Sequence, residues 1–213
     1  MSFITIILIA ITCVVSFYAF NNRPFFDRYK FSTYAITEMR QIDRLLSSGF
    51  LHADMMHLFF NMFALYIFSE TVIRDFGNLL FIVTYLLAIF GGNIITLWLY
   101  RRDLTYTAVG ASGGVSGIIF AAIALYPEMT LRFFLIPIDI PGWVFGVGYL
   151  AYSVYGMKIS MGNIGHAAHL GGAVIGLAAA IILFPQILQE HTYFLALMAL
   201  PLAALGYFVY KEK

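Results

Sequence analysis

Charge is scarce in this sequence and cysteine almost absent: Asp, Glu, Lys and Arg make up 11% of the 213 residues, and Cys13 is the one thiol. A lone cysteine inside an apolar run excludes a disulfide framework and a cysteine-built metal site. The charges sum to +1 and fall in short clusters, so no broad basic face is offered to nucleic acid. With 62% hydrophobic residues, a water-soluble domain could not be closed without exposing large apolar areas. Low-complexity tracts, repeats of solenoid length and a second soluble domain are missing as well. Lipid is the solvent this composition fits.

Runs apolar enough to span a bilayer occur at about 3–20, 55–73, 77–100, 104–126, 142–157, 165–188 and 192–210. They imply an all-α membrane protein: a polytopic helical bundle of six core transmembrane helices with a seventh, C-terminal helix, in a single membrane domain over residues 1–213. The first run lacks a basic start and a small-residue cleavage site, so it reads as a retained span and not a signal peptide. Glu70 interrupts the second run, and Pro127, Pro137, Pro141, Pro185 and the surroundings of Gly77 and Gly162 mark boundaries. Pro201 makes the last run a kinked or interfacial helix in expectation. Between the first two runs, residues 21–52 mix charges with aromatic and aliphatic side chains, the composition of a segment lying along the interface.

Polar residues inside spans are costly and need a partner or a task. Here they gather in three places: His57 with Asn61, the stretch Gly110-Ala111-Ser112-Gly113-Gly114-Val115-Ser116-Gly117, and His166 with His169. All three fall near the starts of the second, fourth and sixth spans. Alternate spans run in the same direction, so the clusters share one leaflet and one depth. His57 and Asn61, spaced i, i+4, lie on one helix face and carry N–H donors that could stabilise a developing oxyanion; interhelical hydrogen bonding would explain them equally. The glycine-rich stretch lets backbones approach and a serine be reached, or it is ordinary small-residue packing. Gly-x-Ser-Gly occurs at both Ser112 and Ser116, so the motif does not choose between them. A buried histidine stays neutral, as a general base must, and with no acid at this depth a Ser–His dyad fits better than a triad. His52, His57, His166 and His169 near one level also raise a metal site, but the pair with usable ligand spacing, His166 and His169, has no Asp, Glu or Cys beside it and no metal is expected.

Taken jointly, the motifs resemble the rhomboid family of intramembrane serine proteases. The matching residues are His52-(x)4-His57-x-x-x-Asn61, Gly110-Ala-Ser112-Gly113 with Gly117, and Ala168-His169-x-x-Gly172-x-x-x-Gly176, over a core of about 44–188. The resemblance implies that Ser112 is the nucleophile and His169 its base. His57, Asn61 and the Ser112 backbone N–H become the oxyanion partners, and Gly110, Gly113, Gly117, Gly172 and Gly176 pack closely at the site. It implies no cofactor. Its implied partners are the lipid bilayer and transmembrane protein substrates whose helix ends unwind readily, in a multi-pass protein expected in a bacterial or archaeal cell membrane. Arg44 stands where the family has its Trp-Arg pair, but Asp43 replaces the Trp, Ile73 a Glu and Ser69 a Gly, which weakens the expectation of a loop anchor.

Two rivals remain: a non-catalytic relative that binds transmembrane helices, and a histidine-based metal or proton transporter. Orientation is in conflict. Arg74 and Arg132 lie on one side, whereas Arg23, Arg28, Lys30, Arg40, Arg44, Arg101, Arg102, Lys158, Lys211 and Lys213 lie on the side of Ser112. The positive-inside rule makes that side cytoplasmic. The family opens its site to the exterior, and that orientation is the expectation here, on the ground that the loop charges pair with neighbouring acids.

Overall fold

The computed structural model describes residues 2–133, 136–158 and 165–211; the expected boundary at Gly162 lies outside them. Helix α1, Phe3–Phe20, is followed by a folded connection of α2 (Arg23–Tyr29), β1 (Phe31–Ser32), α3 (Thr33–Thr37), α4 (Arg44–Ser47) and a 3-10 turn at Ser48–Phe50. Then come α5 (Met55–Tyr100), β2 (Thr107–Ala108), α6 (Ser112–Leu125), β3 (Thr130–Phe133), β4 (Ile136–Pro141), α7 (Gly142–Lys158), α8 (His166–Leu183), α9 (Ile187–Glu190) and α10 (Thr192–Lys211). The chain is an all-α helical membrane protein. Phe3–Phe20, Met55–Tyr100 and His166–Leu183 are each long and apolar enough to cross a bilayer, and Ser112–Leu125 and Thr192–Ala204 are shorter apolar helices.

Helix α5 is the second and third expected spans joined end to end. Its start is capped by Asp54, which accepts the His57 backbone N–H at 2.8 Å. Gly77 breaks it at φ 72°, a left-handed conformation that only glycine adopts cheaply. Glu70 does not interrupt it: this residue points outward from a continuous helix and accepts the Ser2 backbone N–H. The chain reverses at Gly77. His57 on the first arm meets Gly110, and Ile89 and Gly92 on the second meet Gly49 and Ala168, so these positions share one end of the bundle. Phe76 stacks on Phe184 and Arg74 covers Tyr126 at the other. The core between them is built on α5, α6 and α8, with Leu65, Phe81, Tyr85, Ile118, Phe120 and Leu170 fully enclosed.

Helix α6 begins at Ser112 and not at 104. Residues 107–108 pair with β1 and Gly110 takes φ 133°, both incompatible with helix, so the segment before Ser112 is an extended approach. The 21–52 segment does more than lie on an interface. Phe31, Ile36 and Leu45 form a second small core with Leu97 and Tyr106, while Tyr34, Met39 and Ile42 face outward. Arg44 ties it down despite Asp43 beside it. Its guanidinium is buried and donates to the carbonyls of Asp27 at 2.9 Å and Lys30 at 2.7 Å and to Gln41 Oε1 at 2.8 Å. Asp43 meanwhile pairs with Arg28 at 2.8 Å. The anchor that the sequence left in doubt is therefore present. A β3–β4 hairpin closes the opposite end, and α10 continues through Pro201 as a helix packed along α7, with Met198 fully buried against Gly146.

Candidate active site

The site is built by backbones in contact. A Cβ on Gly172 would lie 1.9 Å from Gly113 O, and one on Gly176 1.9 Å from Gly117 O, so α6 and α8 touch main chain to main chain at two successive turns. Gly92 closes the third side, its absent Cβ falling 2.6 Å from Ala168 O. This stripe sets the start of α8 against the start of α6. Ser112 precedes Gly113, His169 follows Ala168, and Gly113 itself lies against Ala168 O, a Cβ there being 3.3 Å away.

Gly110 brings in α5. Its positive φ turns the chain into α6, and its bare α-carbon admits the His57 ring: a Cβ would sit 2.8 Å from His57 Nε2 and 3.6 Å from Ser112 Oγ. An imidazole nitrogen and the serine hydroxyl thus flank one small residue. Asn61, one turn below His57 and buried, donates one amide hydrogen to His57 O at 2.9 Å, which leaves its second hydrogen for another acceptor. Of the residues that the sequence nominated, the structure puts Ser112 and His57 beside Gly110, bonds Asn61 to the His57 carbonyl, and packs Gly113 and Gly117 against Gly172 and Gly176 on the helix that carries His169.

Tyr149 on α7 was not nominated. Its ring stacks on His169 with centroids 5.8 Å apart and planes 28° from parallel, fixing the imidazole from one face. Its hydroxyl is 2.6 Å from Ser116 Oγ, so the second serine of the glycine-rich stretch is engaged with a tyrosine. One tyrosine among 14 carries no sequence signal of its own. His166 packs edge-on against His169 at 6.2 Å and against Tyr152 at 5.4 Å, over Gly156, which has no side chain to collide with it.

The approach to Ser112 is held by a second set of residues. Gly110 N–H donates to Ser48 O at 3.0 Å, and Ala111 N–H donates to His52 Nε2 at 3.3 Å. The His52 ring therefore carries its hydrogen on Nδ1 and donates it to Ser16 Oγ at 2.8 Å; Ser16 passes its own hydrogen to Phe50 O at 2.9 Å. His52 is wholly buried, and burial first, then the neighbouring His57, lower its pKa to about 3, which keeps it neutral as that network requires. Asn93 completes the frame by donating to Leu45 O at 2.8 Å and Ser48 Oγ at 3.0 Å. The signal for Ser16 was available: Thr5, Thr12 and Ser16 form a buried polar face within an otherwise apolar run. Among the described residues, no group of three or more His, Cys, Asp or Glu side chains is placed to hold a metal.

A family model for the Rhomboid domain matches residues 39–186. The chain belongs to the rhomboid family. It is 29% identical over 135 residues to Rhomboid protein 1, mitochondrial, of Saccharomyces cerevisiae, covering 62% of this chain and 39% of that protein. It is 30% identical over 155 residues to RHOMBOID-like protein 12, mitochondrial, of Arabidopsis thaliana, covering 65% and 46%. With the mouse Presenilin-associated rhomboid-like protein, mitochondrial, it shares 29% over 139 residues, covering 62% and 36%. The chain thus spans less than half the length of each of these rhomboid relatives. Their names carry mitochondrial addresses, and another relative is chloroplastic, which lends no support to the expected bacterial or archaeal membrane. The matched segment contains every nominated residue of the site, while Ser16, which holds His52, lies before it.

Proposed function

We propose that this rhomboid is an intramembrane serine endopeptidase that hydrolyses peptide bonds in or near the transmembrane segments of other membrane proteins. The observation that carries the reading is the contact of α6 and α8 at Gly113 and Gly172, which sets the turn bearing Ser112 beside the turn bearing His169. Neutral His169 takes the proton of Ser112 Oγ as the oxygen attacks the scissile carbonyl. The resulting oxyanion is held by the free amide hydrogen of Asn61, by His57 and by backbone N–H groups at the start of α6. His169 returns the proton to the leaving amine, the acyl-enzyme forms on Ser112, and water activated by the same imidazole releases it. Ser116 is unsuited to the role because its hydroxyl is engaged with Tyr149. Substrate helices with weak ends fit best, because an intact helix keeps its peptide bonds in its own hydrogen bonds.

The test is labelling of the purified protein by a fluorophosphonate, together with cleavage of a transmembrane model substrate. Both vanish in Ser112→Ala and His169→Ala and persist in Ser116→Ala. Labelling indifferent to Ser112→Ala would turn the reading toward a helix-binding relative without catalysis.

A further inference from the structure

The end of the bundle opposite Ser112 holds a cavity that catalysis does not use. Its volume is about 370 Å³, within the range of small-molecule pockets, and it lies where the first arm of α5 ends, α6 ends and α10 begins. Arg74, Glu128 and His191 line it beside Thr71, Leu125 and Phe194. Tyr126 closes α6 at this level and Trp143 opens α7, packed on Phe194 at 5.9 Å, the aromatic residues expected where hydrocarbon gives way to headgroups. The Arg74 guanidinium lies over the Tyr126 ring at 4.8 Å and 3.9 Å from Asp75, which is beyond hydrogen-bond distance. Asp75 is already engaged, its two oxygens accepting the Tyr126 hydroxyl at 3.1 and 3.0 Å. One tyrosine thus steadies the cation with its face and the neighbouring acid with its hydroxyl, while the N–H fork of Arg74 makes no hydrogen bond among the described residues. Glu128 and the His191 ring likewise have no side-chain hydrogen bond or ion pair among the described residues. Of the other charges at this end, Arg132 grips Asp139 through bonds of 2.6 and 2.9 Å, Glu70 accepts the Ser2 N–H, and Glu190 is exposed outside the lining.

A cavity whose cation and carboxylate do not neutralise each other suits a ligand that carries both signs. We propose that it binds the headgroup of phosphatidylethanolamine, with the phosphate on Arg74 and the His191 N–H and the ammonium on Glu128. A guanidinium fork matches phosphate oxygens, and the carboxylate accepts the N–H groups of the amine. The helix ends act in the same sense: the C-terminal end of α6 at Leu125 favours a cation, and the N-terminal end of α10 at His191–Phe194 favours an anion. Leu125 and Phe194 give the glycerol and the first acyl carbons an apolar wall. Two other common headgroups match less well. Choline has no N–H to offer Glu128, and phosphatidylglycerol brings no cation to it at all. The site lies at the far end of the bundle from Ser112 and does not depend on the catalytic reading.

Native mass spectrometry of the full chain released from detergent micelles, with dioleoyl phosphatidylethanolamine, phosphatidylcholine or phosphatidylglycerol added singly, reads the affinity for each. The ethanolamine lipid should bind about tenfold more tightly than either of the others, the worth of one charge-assisted hydrogen bond. Arg74→Gln should weaken the ethanolamine and choline lipids alike by about tenfold, and Arg74→Lys should restore most of the loss. Glu128→Gln should bring the ethanolamine lipid down to the choline level and leave the choline lipid unchanged. Inorganic phosphate at the same concentration should displace none of them. Equal affinity for the three headgroups on the parent protein would overturn the proposal, whatever the stability of the variants. So would a glutamine variant that melts like the parent and binds the ethanolamine lipid as tightly, and displacement by inorganic phosphate would overturn the assignment to a lipid.

Discussion

Substituting Gly172 by alanine tests the idea that main-chain contact between α6 and α8 assembles the site. The new Cβ would lie 1.9 Å from Gly113 O and 2.8 Å from Gly113 C, against an ordinary contact of 3.4 Å or more. Both opposing atoms are backbone, so no rotamer can relieve the clash, and the helices must part by about 1.5 Å, the difference between 1.9 and 3.4 Å. Overpacking of this kind costs about 1–3 kcal/mol. Alanine's better helix propensity returns roughly 0.8–1 kcal/mol of that. Misplacement by about 1 Å can cost about 100-fold in rate, so the catalytic loss exceeds what the stability loss would suggest. The control is Gly148→Ala in α7, where a Cβ meets nothing within 4 Å and only the propensity gain applies. Thermal unfolding in detergent micelles and the rate of fluorophosphonate labelling should therefore separate the two variants. Gly172→Ala melts lower and labels about 100-fold more slowly, whereas Gly148→Ala melts slightly higher and labels at the parental rate. A Gly172→Ala protein that melts and labels like Gly148→Ala would refute the reasoning.

Further outcomes follow from the frame around the site. Ser16→Ala leaves the His52 Nδ1–H without its acceptor in a buried setting, at a cost of about 1–3 kcal/mol; it should lower the labelling rate along with the melting temperature, and Ser16→Thr should recover both. The His52 pKa near 3 lies below its ordinary 6.5, so the unfolded chain binds a proton that the folded one refuses. The stability this ring contributes is whole above pH 6.5 and declines as pH falls toward 3. His52→Gln should accordingly flatten the fall in melting temperature between about pH 6.5 and 5, above the carboxylate range; an unchanged slope would deny the ring its neutral, buried state. Arg44→Ala strips two carbonyls and Gln41 of their donor. It should destabilise the protein by about 1–3 kcal/mol and open residues 21–52 to limited proteolysis, with Arg44→Lys intermediate because an ammonium cannot fork between the same acceptors.

The spans were legible because apolar length is a one-dimensional property: α1, both arms of α5, α7 and α8 fall where hydropathy puts them. What hydropathy cannot see is the main chain's own hydrogen bonding. It therefore carried the fourth helix back to residue 104, whereas pairing of 107–108 with β1 and the turn at Gly110 hold that segment extended. The β3–β4 hairpin and the small core around Phe31 escaped for the same reason. Ser16 with His52, Asn93 with Ser48 and Tyr149 with Ser116 are bonded pairs whose members come from different segments, and nothing in one segment names its partner in another.

At the site itself, the sequence posed a choice that the structure dissolves. Gly113, Gly117, Gly172 and Gly176 were read either as ordinary close packing or as the surroundings of a reactive serine. The distances show the close packing, and under the catalytic reading proposed above that packing also makes the surroundings: the glycines that let α6 and α8 touch are the ones that bring the turn of Ser112 to the turn of His169. Ser116 shows the other half of the point. It has the same Gly-x-Ser-Gly context one turn deeper, yet there the neighbouring helix presents Tyr149, and the hydroxyl is occupied. Two identical local motifs are thus separated by what faces them, a distinction that lies in the fold and not in the motif.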